Sequence, residues 1–330
     1  GPVTIAVAGS EPTGAAPLAL RTPVRLIGSD PARNVTTGFP SHIVSQQAIR
    51  MAARGEGVVN VPPERDNIVR RVPAVTRIGD QLAPLLAVDG LRLAAQSGAL
   101  GVIAGARGVS AVRVGDLEIR TLPDGRVWPR LTPHRPERFI SAAAIFKAPN
   151  AAPMLADRIV ILGSTVTALG DFHATAITPR MAGPEIQAQV VEAALEGELL
   201  RRPSREHLVE AALVGVFALL VAFALPYRRP SVAALLLIGI VGAALAASFA
   251  AFGVFRLLVD SLAPITAGGL VFGQMLAAQL VTTDRERRRV AEALQREREA
   301  AARHEGELAA ARQIQMGMLP HTFPERPEIE

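Results

Sequence analysis

Leu208 to Val281 reads LVEAALVGVFALLVAFALPYRRPSVAALLLIGIVGAALAASFAAFGVFRLLVDSLAPITAGGLVFGQMLAAQLV. It holds three apolar runs, Leu208 to Leu225, Val232 to about Phe252 and Leu262 to Val281. Each is close to the ~20 residues a helix needs to cross the hydrocarbon core of a bilayer. Only Tyr227-Arg228-Arg229-Pro230-Ser231 and a turn around Gly253 to Ser261 separate them. Buried helices of a soluble bundle would show polar faces at helical period, and none is present. The stretch predicts a block of three transmembrane helices over residues 204–282.

Working outward, the arginines near the helix ends give an orientation. Arg228, Arg229, Arg285, Arg287, Arg288 and Arg289 favour the cytoplasmic face, while Arg201, Arg202, Arg205 and Arg256 oppose it, so the rule holds on balance. Residues 1–203 are therefore expected outside the cytoplasm and the C-terminal tail inside. The chain opens on Gly1-Pro2-Val3 with no apolar span. Export of the first 200 residues then implies a further membrane helix upstream. Gly269, Gly273 and Ala277 form a small-xxx-small ladder in the third helix, with Gly242, Ala246 and Ala250 in the second, a spacing that lets backbones approach in lipid. Asp260 is expected as a cap or interfacial anchor of the third helix.

Composition narrows the classes. The chain has 330 residues, 49% of them hydrophobic, which is enough for one soluble domain beside the membrane block. Net charge is +5, yet Lys147 is the only lysine and no basic face is interleaved with aromatics, so nucleic acid is not an expected partner. With no cysteine, disulfides, thiolate nucleophiles and Cys-ligated zinc are excluded.

In the N-terminal region, Val3 to Ala8 and Val24 to Ile27 read as strands. Val58 to Val61 and Ile68 to Val75 read as two β runs about a polar turn. Leu82 to Ser97 reads as an amphipathic helix closed by Gly98. The glycines at 98, 101, 105 and 108 read as a mobile connection, since no phosphate-loop pattern is present. Leu117 to Leu131 reads as a hairpin turning at Pro123-Asp124-Gly125. Arg158 to Leu162 reads as a short strand, and Gly183-Pro184-Glu185 opens a helix to about Leu200. Together these predict a mixed α/β domain. No G-x-S-x-G elbow or H-E-x-x-H pair appears in it, so no catalytic residue, metal ligand or cofactor site is assigned in this chain.

Two resemblances extend this reading. Arg158 to Pro203, RIVILGSTVTALGDFHATAITPRMAGPEIQAQVVEAALEGELLRRP, resembles the C-terminal half of the type-2 CHASE domain, an extracytoplasmic sensor module of bacterial receptors. The pieces that match are Gly170-Asp171, Ala174-Thr175 and Gly183-Pro184-Glu185-Ile186, with Val69-Arg70-Arg71-Val72-Pro73 and Leu82 to Ala95 in the central segment. The resemblance implies sensing of an extracytoplasmic stimulus but carries no ligand residues. Asp171 and His173 are the polar pair proposed for the sensor loop, against simpler roles as a turn cap and a loop histidine. Glu307 to Pro324, ELAAARQIQMGMLPHTFP, resembles the helical lead-in of bacterial type-2C serine phosphatases; Ala311, Arg312, Ile314, Gln315, Leu319, Pro320, Phe323 and Pro324 carry it.

Between the two, residues 283–319 are rich in Arg and Glu and lack proline up to Met318. Val290, Leu294, Ala301, Leu308 and Ala311 fall on a heptad seam interrupted by Glu297 and His304, as in a parallel dimeric coiled coil. Residues 320–330 are read as the start of a connection to a phosphatase domain. That domain would use manganese or magnesium on a phosphorylated regulator protein. An adenylyl cyclase or histidine kinase is the rival output, and a membrane-tethered extracytoplasmic hydrolase the rival of another class.

Overall fold

The computed structural model describes all residues except 12–18, 30–34, 36, 149, 151, 167–170, 202–210, 220–229, 259 and 319–330. It divides into two compact units, Gly1–Pro203 with Ala251–Leu258, and Ser204–Ala250 with Val259–Glu330.

The first unit is mixed α/β, built from small sheets. β1 (Thr4–Ser10) pairs in parallel with β5 (Gly55–Val58) and antiparallel with β4 (Ser41–Ile43). A four-stranded sheet has the order β12 (Leu117–Arg120), β11 (Gly108–Val114), β10 (Leu100–Gly105), β2 (Val24–Gly28). Three smaller sheets join β3 (Gly38–Phe39), β8 (Val75–Ile78) and β9 (Gln81–Pro84); β16 (Leu199–Leu200), β13 (Arg126–Pro129) and β7 (Val72–Pro73); and β15 (Met181–Ala182), β14 (Phe172–Thr175) and β6 (Ile68–Val69).

Short helices α1 (Gln47–Ala52), α3 (Ala142–Lys147) and α4 (Ala152–Leu155) bury no side chain, whereas α2 (Leu86–Ala94) and α5 (Gly183–Leu195) supply the core. Val88 and Leu91 of α2 and Ile186, Val190 and Ala194 of α5 meet Val72, Leu100, Val102, Val112 and Val127 from the strands. β5 explains how α2 comes so close. Its side chains alternate across the strand, and a Cβ on Gly57 would lie 2.4 Å from Leu86 Cα. Glycine at that position lets the helix lie directly on the strand.

Several expectations need correction. Leu82 to Ser97 is a strand followed by a shorter helix, because Pro84 disfavours a helix interior and lies on β9, paired with β8. Gly101, Gly105 and Gly108 lie in the β10–β11 hairpin, with register shifting between Ile103 and Ala104, rather than in a mobile connection, and Gly98 lies in a bend before β10, beyond Ala95, the C-cap of α2. The turn at Pro123-Asp124-Gly125 exists, with Gly125 N–H donating to Leu122 O at 2.9 Å, but its arms diverge. β12 joins β11, whereas β13 joins β7 and β16. The runs at Val58 and Ile68 likewise pair with other strands, β1 and β14, and not with each other. Arg158 to Leu162 forms no strand; no partner strand pairs with it among the described residues, and Val160 and Leu162 are exposed. α5 ends at Leu195, before Leu200, and Leu195 itself is exposed.

The second unit is helical. Residues 211–219 form α6, followed by α7 (Pro230–Phe255) and α8 (Leu262–Met318). Two helices, within Leu235–Phe255 and Leu262–Gly317, are long and apolar enough to cross a membrane. The described part of the first apolar run is too short to do so alone; 208–210 and 220–225 lie outside the described residues. Phe217 of α6 packs on Leu237, Ile240, Val241 and Ala244 of α7 and Val271 and Phe272 of α8. Asp260 acts as expected of a cap: its Oδ1 accepts from Leu262 N–H at 2.8 Å.

Candidate functional site

β14 carries Phe172-His173-Ala174-Thr175 and places the proposed sensor pair beside the start of α5. Ala174 and Thr175 align with Ile68 and Val69 of β6, and Phe172 and His173 with Ala182 and Met181 of β15. Val69 of the central segment and Ala174-Thr175 of the C-terminal half, two of the pieces on which the sensor resemblance rests, are thus joined in one sheet. Asp171 sits just before β14. Its backbone oxygen accepts from Gly183 N–H at 3.0 Å, and a Cβ on Gly183 would come within 2.3 Å of its carboxylate. That carboxylate therefore faces the positive end of the α5 dipole, where Ala182 offers no capping side chain.

Asp171 Oδ1 lies 3.3 Å from His173 Nε2, so the structure brings the two together. Asp171 supports the start of α5; Gly170, whose turn it was expected to cap, lies outside the described residues. Among the described residues no group of three His, Asp or Glu is placed to hold a metal.

A second carboxylate enters at the first turn of α5. Glu185 is buried, and both its oxygens lie 3.1 Å from His134 Nδ1, whose ring stacks on Phe139 at 4.5 Å between centroids. Sequence reading assigned Glu185 only to the helix dipole.

Around β5 two charged pairs are buried. Glu56 accepts from Arg50 Nε at 2.5 Å and Nη2 at 3.0 Å, and from Arg21 N–H at 2.9 Å. Burial pushes the Glu56 carboxyl up, but the Arg50 guanidinium and the Arg21 N–H hold it below its usual value. His42, buried nearby, has both ring nitrogens without a hydrogen-bond partner among the described residues. Burial lowers its pKa, with Arg50 acting the same way and Glu56 opposing. The second pair is Asp89 and Arg92 of α2, at 2.6 Å; Thr4 Oγ1 donates to Asp89 at 2.5 Å, and Arg92 also reaches Ser97 O and Arg54 O. Both pairs are closed off from solvent and serve the fold.

The last strand of this unit meets residues 256–258. Arg201 N–H donates to Arg256 O, and Leu258 N–H to Arg201 O, both at 2.8 Å. Arg256, at φ +56°, extends Nη1 to Gly197 O and Nη2 to Glu198 Oε1, each 3.1 Å away. None of this was anticipated: the partners are more than fifty residues apart.

In the helical unit the close contact is at Gly268, where a Cβ would lie 2.0 Å from the Phe217 ring. Gly269, Gly273 and Ala277 are exposed, with no neighbour near the first two. Val290, Leu294, Ala301, Leu308 and Ala311 are all exposed along α8. Of the phosphatase-like residues, Ala311, Arg312, Ile314 and Gln315 lie on α8, while Leu319, Pro320, Phe323 and Pro324 lie outside the described residues.

No curated protein and no solved structure matches the chain. The CHASE2 domain family matches residues 15–225, more than half of its length. The sheet joining β6, β14 and β15 to the start of α5 falls inside that match, and the chain belongs to the CHASE2 domain family.

Proposed function

We propose that this chain is the sensing and transmitting part of a bacterial inner-membrane receptor, with residues 1–203 outside the cytoplasm and the C-terminal end of α8 inside. CHASE2 membership supports a sensor role in signalling. The observation that carries the orientation is the bridge between Arg201 and Leu257. The end of the sensor and the connection between α7 and α8 must share one side of the membrane for this bridge to form. The positive-inside count, on balance and against Arg201, Arg202, Arg205 and Arg256, favours the exterior for that side.

On this reading the first apolar run completes a three-helix membrane block, and α8 continues into the cytoplasm as one strand of a parallel homodimer. The apolar seam from Val290 to Ala311, which has no cover in a single chain, supports pairing with a second copy. Gly269, Gly273 and Ala277 offer a membrane contact to the same copy. The lead-in residues from Ala311 onward favour a manganese- or magnesium-dependent serine/threonine phosphatase output acting on a phosphorylated regulator. A cyclase or kinase output is the reading to discard first.

Single cysteines at Ser204, Ser231, Ser261 and Thr283, labelled in intact cells with an impermeant maleimide, test the topology. Labelling at 204 and 261 but not at 231 or 283 is expected; the reverse pattern would overturn the orientation. Phosphatase activity of the full-length protein in vesicles, with manganese and a phosphorylated regulator, tests the output.

A further inference from the structure

A cleft of about 170 Å³ opens between the segment Arg130 to Arg138 and the C-terminal end of α5. Its charges are segregated by wall. Arg130, Arg135 and Arg138 line one side, and Glu192, Glu196 and Glu198 the other. The acidic wall runs against the usual logic of a helix end: α5 has no basic residue in its last turn, so three carboxylates gather at the negative end of its dipole. Cations from elsewhere offset two of them. Arg138 makes a two-pronged pair with Glu192, while Arg130 at 3.4 Å and Arg256 at 3.1 Å share Glu198 Oε1. The side chains of Glu196 on the acidic wall and Arg135 on the basic wall make no hydrogen bond or ion pair among the described residues, and both residues are exposed. The same cleft is lined by Thr132, whose Oγ1 is shielded from solvent without a partner among those residues.

We infer that this cleft binds a small zwitterion of the free α-amino-acid class, its carboxylate on the Arg135 wall and its ammonium on the Glu196 wall. With the other four lining charges already paired, a ligand of one sign would meet either Arg135 or Glu196 and leave the other unmatched. The volume suits small metabolites, since pockets for drug-sized molecules run to about 300–1,000 Å³. The site adjoins the connection between α7 and α8 through Glu198, so an ammonium drawn to the acidic wall competes with Arg256 for that carboxylate. This deepens the sensor reading by naming the class of stimulus.

The test is calorimetric titration of the full chain in lipid nanodiscs with each of the twenty common amino acids. For any that binds, the matching decarboxylated amine and deaminated carboxylic acid are titrated as single-charge controls. At least one amino acid is expected to bind, with both controls about tenfold weaker or worse. Arg135→Ala and Glu196→Gln, both exposed positions, each weaken binding about tenfold, whereas Arg256→Gln tightens it by leaving Glu198 with Arg130 alone. Opposite signs among three surface variants separate a lost contact from a lost fold. Absence of binding by all twenty up to about 1 mM, equal binding of a single-charge control, or unchanged affinity in both Arg135→Ala and Glu196→Gln would overturn the site. Weaker or unaltered binding in Arg256→Gln would overturn the competition. Failure of the receptor reading shows instead in cysteine labelling, which this titration does not touch.

Discussion

The first unit buries Glu56, Asp89 and Arg92, whereas the helices of the second leave Leu235, Ile238, Phe249 and Leu270 exposed. Water-soluble proteins follow the opposite economy at both places, hiding apolar groups and showing charge. Inside the first unit each buried charge has a partner and further hydrogen bonds, which is the condition for keeping it there. On α7 and α8 the exposed side chains have no such compensation in water, and a hydrocarbon surrounding removes the need for one. The proposed receptor reading makes this one chain built for two solvents, and on that reading the two solvents predict different sensitivities.

The largest expected effect is on a buried pair. Asp89→Ala leaves Arg92, 4% exposed, without its carboxylate, and should destabilise the first unit by about 3–5 kcal/mol. Trp128 is the only tryptophan and lies in that unit, with Arg71 over its ring at 5.4 Å, so its fluorescence during denaturation follows this unit alone. On exposed α7, which the proposed reading places in lipid, Ile238→Arg should cost insertion about 3 kcal/mol, read as the fraction of chains integrated in an in vitro translocation assay, while Trp128 unfolding stays unchanged.

A smaller effect sharpens the contrast within the helices. Gly268→Leu forces a side chain into the Phe217 ring and should destabilise the helical unit by about 1–3 kcal/mol, measured by helicity during detergent denaturation. Gly269→Leu meets open space in a single chain and should leave that curve alone. If the exposed ladder is a dimer contact, it will instead lower the crosslinked fraction in vesicles.

The smallest effect depends on pH. His42 titrates below its usual 6.5 because it is buried, so the unfolded chain binds its proton first. Its contribution is present above about pH 6.5 and is lost as pH falls through the folded value. Glu56, also held low, adds a loss of the same sign below about 4.5. Trp128 denaturation midpoints should therefore decline on acidification from pH 7 to 5, and His42→Phe should flatten that decline.

What sequence reading reached and what it missed divide along the range of the interactions. The second and third apolar runs were legible as long helices because bilayer thickness imposes a length that composition alone can meet; the first lies partly outside the described residues. The start of α5 was legible because Gly183, Pro184 and Glu185 act within one turn. Strand partners were not: β6 finds β14 more than a hundred residues away, and nothing local to Ile68-Val69 encodes that choice. The five-residue run at Arg158 suits a strand by composition yet finds no partner among the described residues. Pro84 was a local signal that spacing of leucines obscured. Asp171 and His173, read from the sequence as a polar pair of the sensor loop, lie 3.3 Å apart, with Asp171 just before β14 and His173 on it. The opposed walls of the cleft were invisible, since Arg138 meets Glu192 and Arg130 meets Glu198 across 54 and 68 residues. Three glutamates at a helix end lacking basic residues were the one local hint.

α8 runs unbroken for 57 residues, about sixteen turns and some 86 Å. Along such a rod, azimuth is conserved: the direction in which Leu294 points is set by the direction in which Gly268 points. One residue inserted near Thr283 would swing everything downstream by about 100°, and seven would nearly restore it. On the proposed transmitting role, what this helix would carry from one end to the other is a phase angle, and its length in residues would be part of the message.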